Sequence, residues 1–258
     1  MVENLSLGCV EFAVPGNTLE DKLESLESRN MWLELVNDGD RKIEDISDAL
    51  SSFETPVKTI QANLLHKLKM LSDSKLKHNA AVRHVEETIR LASAVGARNV
   101  VTTLAYGQPS ARNPRRIAVE TYKKFGRLAK EFDVTVSIES LGKNRTTFLP
   151  GMSDVYDLIR EVDSAHVCLM ADTMHIHDNG DEICDVIAKY IDEISELQLR
   201  DTDSRPPGKG NIDFEKAMKV IGKKFKGLIC LEYKPSPDLK MDFIQACDFV
   251  SGLISAAR

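Results

Sequence analysis

The sequence predicts an α/β fold, a closed (β/α)8 barrel, on three observations. Short apolar segments alternate with longer amphipathic ones, the rhythm of a parallel sheet with crossover helices. Eight such units fit into 258 residues, at about thirty residues per unit, which suits a barrel better than an open doubly wound sheet. No G-x-G-x-x-G run follows the first apolar segment, which weakens the dinucleotide-binding alternative.

The strands are expected at 5–12, 32–36, 57–63, 98–104, 133–139, 166–172, 195–200 and 227–233. Between them the helical pattern is clearest in "SKLKHNAAVRHVEETIRLASAVG" (74–96). There Ala81, Val85, Thr88, Ile89 and Ala92 recur at three- and four-residue spacing, and Gly96 marks the C-terminus. "NPRRIAVETYKKFGRLAKEF" (113–132) repeats the design, with Asn113 as the expected cap and Pro114 in the first turn. A helix over 238–257 closes the chain. The longest irregular stretches, about 63–73 and 201–211, follow strands three and seven, where a barrel places its functional loops. No linker rich in Pro, Gly or Ser interrupts the pattern, so residues 1–258 read as one domain.

Hydrophobic residues make up 42% and charged residues 29%, an ordinary soluble composition. A net charge of −6 disfavours a duplex-binding surface and hence a nucleic-acid partner. The chain has no 18-residue apolar run, so no membrane span is expected, and its first residues lack the basic n-region of a secretory signal. Five scattered cysteines without a C-x-x-C pair read as buried thiols of a reducing cytosol, and the expected location is cytoplasmic.

In a barrel, chemistry gathers at the C-terminal ends of the strands. Strand five, "VTVSIES", ends in Glu139, and strand six, "VCLMAD", in Asp172. Strand seven, "ELQLRD", carries Gln198, Arg200 and Asp201, and strand eight, "GLICLEYKP", carries Glu232 and Lys234. Alternation puts Thr135, Ser137 and Glu139 on one face, with Val134, Val136 and Ile138 on the other; Glu232 shares its face with Cys230. The polar faces should point inward. Converging carboxylates would repel and raise one another's pKa values, and a divalent cation removes that difficulty: three acids and the Gln198 amide oxygen make an oxygen-rich cage. Each acid has a plainer alternative. Glu139 could pair with Lys143 or Arg145, Glu232 with Lys234, and Asp172 could cap the next helix.

Four stretches taken together, "SIES" (137–140), "ADTMH" (171–175), "LQLRDTDSRPPGKGNIDF" (197–214) and "LEY" (231–233), resemble the xylose isomerase-like TIM barrels. That family includes sugar isomerases and epimerases, hydroxypyruvate isomerases, dehydratases and endonuclease IV. Its pattern is a Glu after strand five, Asp-x-x-His after strand six, His-x-x-Asp and then Pro-Gly-x-Gly after strand seven, and a Glu on strand eight. The resemblance implies one divalent metal held by Glu139, Asp172, Gln198 and Glu232, and a substrate-binding His175. His177 has no counterpart and reads as solvated. Gln198 stands where most members carry His, and the hydroxypyruvate isomerase-like branch can also carry Gln there. Arg145 stands where many sugar epimerases have a second Glu, and their substrate-binding Arg falls on Ser204, with Arg205 beside it.

The resemblance further implies an isomerase or epimerase of a small polyhydroxy carbonyl compound: a sugar, a sugar phosphate or a hydroxy-keto acid. Proton removal and return through an enediolate would fall to Glu139 and Glu232 as the acid/base pair, and Arg200, Arg205 and Lys234 could hold a substrate carboxylate or phosphate. An all-oxygen shell favours Mg²⁺ or Mn²⁺ over Zn²⁺. A dehydratase on the same scaffold, an endonuclease IV-like nuclease and a non-catalytic binding protein are the alternatives. Homo-oligomerisation is compatible with the sequence.

Overall fold

Short runs of aliphatic and β-branched residues with no proline inside them can pair on both edges, and all eight such runs do so. The computed structural model describes residues 6–256. The strands are β1 (Leu7–Val10), β2 (Trp32–Asn37), β3 (Val57–Ala62), β4 (Asn99–Thr103), β5 (Thr135–Glu139), β6 (Val167–Asp172), β7 (Ile194–Leu199) and β8 (Leu228–Leu231). Each pairs in parallel with the next, and β1 with β8, closing the barrel. The helices are α1 (Leu19–Glu27), α2 (Ile43–Leu50), α3 (Lys75–Ala94), α4 (Pro114–Glu131), α5 (Met152–Val162), α6 (Thr173–Asn179), α7 (Ile183–Tyr190), α8 (Phe214–Lys224) and α9 (Leu239–Ala256).

The first strand is shorter than the expected 5–12. Leu5 lies outside the described residues, and the ladder stops at Val10 because Glu11–Ala13 form a 3-10 turn. The Glu11 carboxylate accepts the Val36 amide at 3.1 Å, in place of a further ladder bond. The helix expected at 113–132 begins at Pro114, as its fixed φ favours, but the Asn113 side chain makes no cap hydrogen bond. Residue 257, the end of the expected last helix, lies outside the described residues, whereas Ala81, Val85, Thr88, Ile89 and Ala92 all bury the expected face of α3.

The outward strand faces pack on the helices; Val136 and Ile138 are fully buried there. Inside, the middle of the barrel is polar. Glu34 of β2, Thr59 of β3, Asn99 of β4, Ser137 of β5 and Glu196 of β7 are all buried. Below Glu34, Trp32 lies against Gly8, where an added Cβ would stand 2.2 Å from the indole. Glycine is required there because the ring occupies the space of a side chain. Among the described residues no helix is long and apolar enough to cross a membrane.

Candidate active site at the C-terminal mouth of the barrel

The alternation that turns Thr135 and Ser137 inward carries Glu139 to the same side at the end of β5. Asp172, the last residue of β6, serves two neighbours. Its Oδ1 accepts the Met174 and His175 amides, at 2.8 and 3.2 Å, and so caps α6. Its Oδ2 meets the guanidinium of Arg200. The cap anticipated as an alternative to a site role thus coexists with a site-facing oxygen. One turn into α6, His175 Nε2 lies 3.4 Å from Glu139 Oε1. Glu232, just past β8, places Oε1 3.5 Å from Arg200 Nη1.

Arg200 is the centre of this arrangement. The guanidinium touches Asp172 and lies 4.0 Å from Glu139 Oε1 and 3.2 Å from His175 Nε2, and the residue is only 7% exposed. Of the pairings anticipated for the acids, neither Lys143 nor Arg145 partners Glu139; Lys143 Nζ donates to the Asn179 carbonyl at 3.0 Å. His177 lies outside the cluster, half exposed and 3.8 Å from Asp178.

Burial sets the electrostatics. It raises Glu232 to about 7; Arg200 opposes the shift, and the Glu139 and Asp172 charges add to it. Burial alone would lower His175, but Asp172 and Glu139 outweigh it and the imidazole is raised. The same carboxylates hold the Arg200 charge firmly in place against its own desolvation.

A second polar layer lies beneath the first. Gln198 Nε2 donates to both carboxylate oxygens of Glu34, each at 3.0 Å. Glu34, Glu196 and Cys230 bring one donor atom each within 4.8 Å of one another. Glu196 Oε2 accepts from Thr59 Oγ1 at 2.6 Å and Asn99 Nδ2 at 2.9 Å. Burial raises both glutamates; the Glu196 charge adds to the shift at Glu34, while hydrogen bonds from Thr59 and Asn99 oppose it at Glu196.

The site opens into a cavity of about 400 Å³. Glu139, His175, Arg200 and Glu232 line its floor, and Asn63, His66, Tyr106, Arg145, Ser204 and Lys234 its wall and rim. The expected loops after strands three and seven both contribute. Ser204 sits at a left-handed φ of 59° beside Asp203 at 60°. This is an unfavourable conformation for non-glycine residues, and the Lys234 amide bonds to the Ser204 carbonyl at 2.8 Å. Asp201 organises the rest of that loop: its carboxylate accepts the amides of Thr202, Gly208, Gly210 and Ile212 at 2.8 to 3.1 Å. A Cβ on Gly210 would lie 2.3 Å from Asp201 Oδ1, so the fourth residue of "PGKG" must be glycine.

The expected site residues separate into three groups. Glu139, Asp172, His175, Arg200 and Glu232 converge. Lys234 reaches the cavity wall. Arg205 does not line the cavity: its guanidinium turns to Asp203 at 2.9 Å and the Lys209 carbonyl at 3.4 Å, and Ser204 occupies the wall instead. Gln198 lies below the floor, bound to Glu34. The Glu34–Glu196 layer and the central position of Arg200 were not anticipated. The i, i+2, i+4 spacing of Glu196 and Gln198 on β7 and of Arg200 just past its end is the signal that carried both.

The donor set suits a divalent cation. Glu139, Asp172 and His175 hold ligand-type atoms within 4.8 Å of one another. Glu232 Oε2 and Gln198 Oε1 are buried without a hydrogen-bond partner among the described residues. Buried oxygens left unpaired at a cluster of carboxylates are the atoms that a hard cation satisfies.

The profile of the xylose isomerase-like TIM barrel family matches residues 9–250. A D-psicose 3-epimerase of Enterocloster bolteae is 30% identical over 98 residues, 38% of this chain and 33% of that protein. A putative hydroxypyruvate isomerase of Streptomyces coelicolor is 27% identical over 131 residues, 48% of this chain and 47% of that protein. The matches thus span less than half the length of these two relatives. Among solved structures, 3-keto-D-glucoside 4-epimerase from E. coli superposes with a TM-score of 0.87 at 16% identity, over 96% of this chain and 99% of that one. The IOLI protein with a binding zinc atom superposes at 0.79 and 15% identity, over 98% of each chain.

Proposed function

We propose that this chain, which belongs to the xylose isomerase-like TIM barrel family, is a divalent-metal-dependent isomerase or epimerase of a small polyhydroxy carbonyl compound. The observation that carries the reading is the meeting of Glu139 and Glu232 around one buried cationic point at the floor of a single cavity. They arrive from β5 and β8, so a substrate carbon between them would face a carboxylate on either side. One carboxylate takes the proton α to the carbonyl and the other returns a proton, to the same carbon in an epimerisation or to the neighbouring one in an isomerisation. The raised Glu232 suits either role near neutral pH.

The metal would be held by Glu139, Asp172, Glu232 and the Gln198 carbonyl oxygen, with His175 Nε2 in the same cluster. When bound, it polarises the substrate carbonyl and stabilises the negative charge that develops on its oxygen. Oxygen donors favour Mg²⁺ or Mn²⁺ over Zn²⁺. His175 and Lys234, which line the cavity, would bind substrate oxygens from the floor and the rim. The named relatives that are epimerases or isomerases support this class of reaction.

Incubation with candidate 2-hydroxy carbonyl compounds in D₂O and Mn²⁺ tests the reading. Deuterium should enter at the carbon α to the carbonyl, and chelation should stop it. Turnover without incorporation would argue for a hydride shift, and β-hydroxide loss would identify a dehydratase.

A further inference from the structure

Arg200 occupies the point that the proposed metal needs. Its two terminal nitrogens reach Asp172 Oδ2, Glu232 Oε1 and Glu139 Oε1, all of them carboxylate oxygens of the proposed ligand residues. A guanidinium and a dication cannot share those oxygens at contact distance, because both are positive and both need the same lone pairs. One must yield. Three features make Arg200 the mobile partner. It follows the last residue of β7 and so lies at the rim of the sheet. Its side chain forms part of the cavity floor, so it has open volume on one side. Its Nε is buried without a hydrogen-bond partner among the described residues, so the side chain is held at its tip and not along its length. His175 is consistent with an exchange. Its Nε2 faces the Arg200 donor at 3.2 Å and the Glu139 acceptor at 3.4 Å, and can satisfy only one of them at a time.

Resting on the metal-dependent reading above, we propose that Arg200 is a built-in counter-cation which the metal displaces, and that the released guanidinium then binds an oxyanion of the substrate, a carboxylate or phosphate, in the cavity. Charge balance supports the exchange. Three carboxylates around a dication leave a net −1, and the released arginine, kept a few ångströms away, neutralises it. The planar fork of Arg presents paired N–H donors that match either oxyanion. The anion site therefore exists only in the metal-loaded protein.

Calorimetric titration with Mn²⁺ of wild type and Arg200→Met tests the exchange. The variant should bind Mn²⁺ at least tenfold more tightly, because the competing cation is gone; equal or weaker affinity would overturn the proposal. The wild-type protein alone supplies a second test, needed if the variant does not fold. The ¹⁵N signal of the Arg200 Nε–H group should move on saturation with Mg²⁺, and move again on adding inorganic phosphate to the Mg²⁺-loaded form but not to the metal-free form. A signal indifferent to Mg²⁺ overturns the displacement, and one that answers Mg²⁺ but not phosphate overturns the anion site. Wild type that binds neither metal, alongside an equally inert Asp172→Asn control, would instead remove the metal-dependent reading itself, and the exchange with it.

Discussion

Gln198 Nε2 donates to both oxygens of the buried Glu34 carboxylate, each at 3.0 Å. Because the amide nitrogen is fixed by this forked contact, its carbonyl oxygen is turned away from Glu34. Outer partners of this kind commonly tune metal affinity by about 10–100-fold. Glu34→Gln keeps the shape but offers a competing donor, and should weaken Mn²⁺ binding by about tenfold with the fold intact. Calorimetry beside circular dichroism would check it; an unchanged affinity would detach Glu34 from the site.

Glu139→Gln and Glu232→Gln should each lower turnover by about 10²–10⁴-fold, the usual contribution of a positioned acid or base. Deuterium exchange into a confirmed substrate is the sharper readout, since one variant can retain exchange while losing product formation. A variant with wild-type kcat would lose its acid/base assignment.

Gln198→His introduces a nitrogen donor next to Asp172 in the strand register. Nitrogen suits zinc, cobalt and nickel better than magnesium. The ratio of Zn²⁺ to Mg²⁺ affinity should rise by an order of magnitude or more in competition titrations. If the ratio does not change, the amide lies outside the coordination sphere.

Glu232 makes the metal-free protein sensitive to pH. Burial, aided by Glu139 and Asp172 and opposed by Arg200, raises its carboxyl from 4.5 to about 7. The folded state therefore binds this proton more tightly than the unfolded state. The resulting stability is fully present below about pH 4.5 and is lost as pH rises through about 7. Melting temperatures of metal-free protein should fall across that interval through this group, and Glu232→Gln should flatten that part of the slope. Metal affinity should run the other way, tightening as the competing proton leaves.

Asp201 holds four loop amides from a fully buried position. Asp201→Ala should cost about 2–4 kcal/mol, the range for breaking a buried network, in urea unfolding. It should also speed hydrogen exchange at Gly208, Gly210 and Ile212.

The barrel was legible because each strand is a short apolar run and each long helix carries a periodic stripe. The site acids were legible because Glu139, Asp172 and Glu232 break apolar runs at strand ends. Less could be read from Glu34 and Glu196. Both sit inside strands, and they meet only because β2 and β7, far apart in sequence and not neighbours in the sheet, face each other across a closed barrel. Strand parity turns Arg200 inward, but a long side chain at a rim can reach either up into the cavity or down onto the acids. Only the positions of Asp172 and His175 decide that it turns down.

The divided carboxylate of Asp172 makes that position pleiotropic. One oxygen starts α6 and the other faces the cation point, so selection on either task acts on both. Glutamate would preserve the charge but, with a longer side chain, lose the fit of the cap; serine would preserve the cap and lose the charge. The amide at Gln198 is divided in the same way, its nitrogen held by Glu34 and its oxygen left free of a hydrogen-bond partner among the described residues.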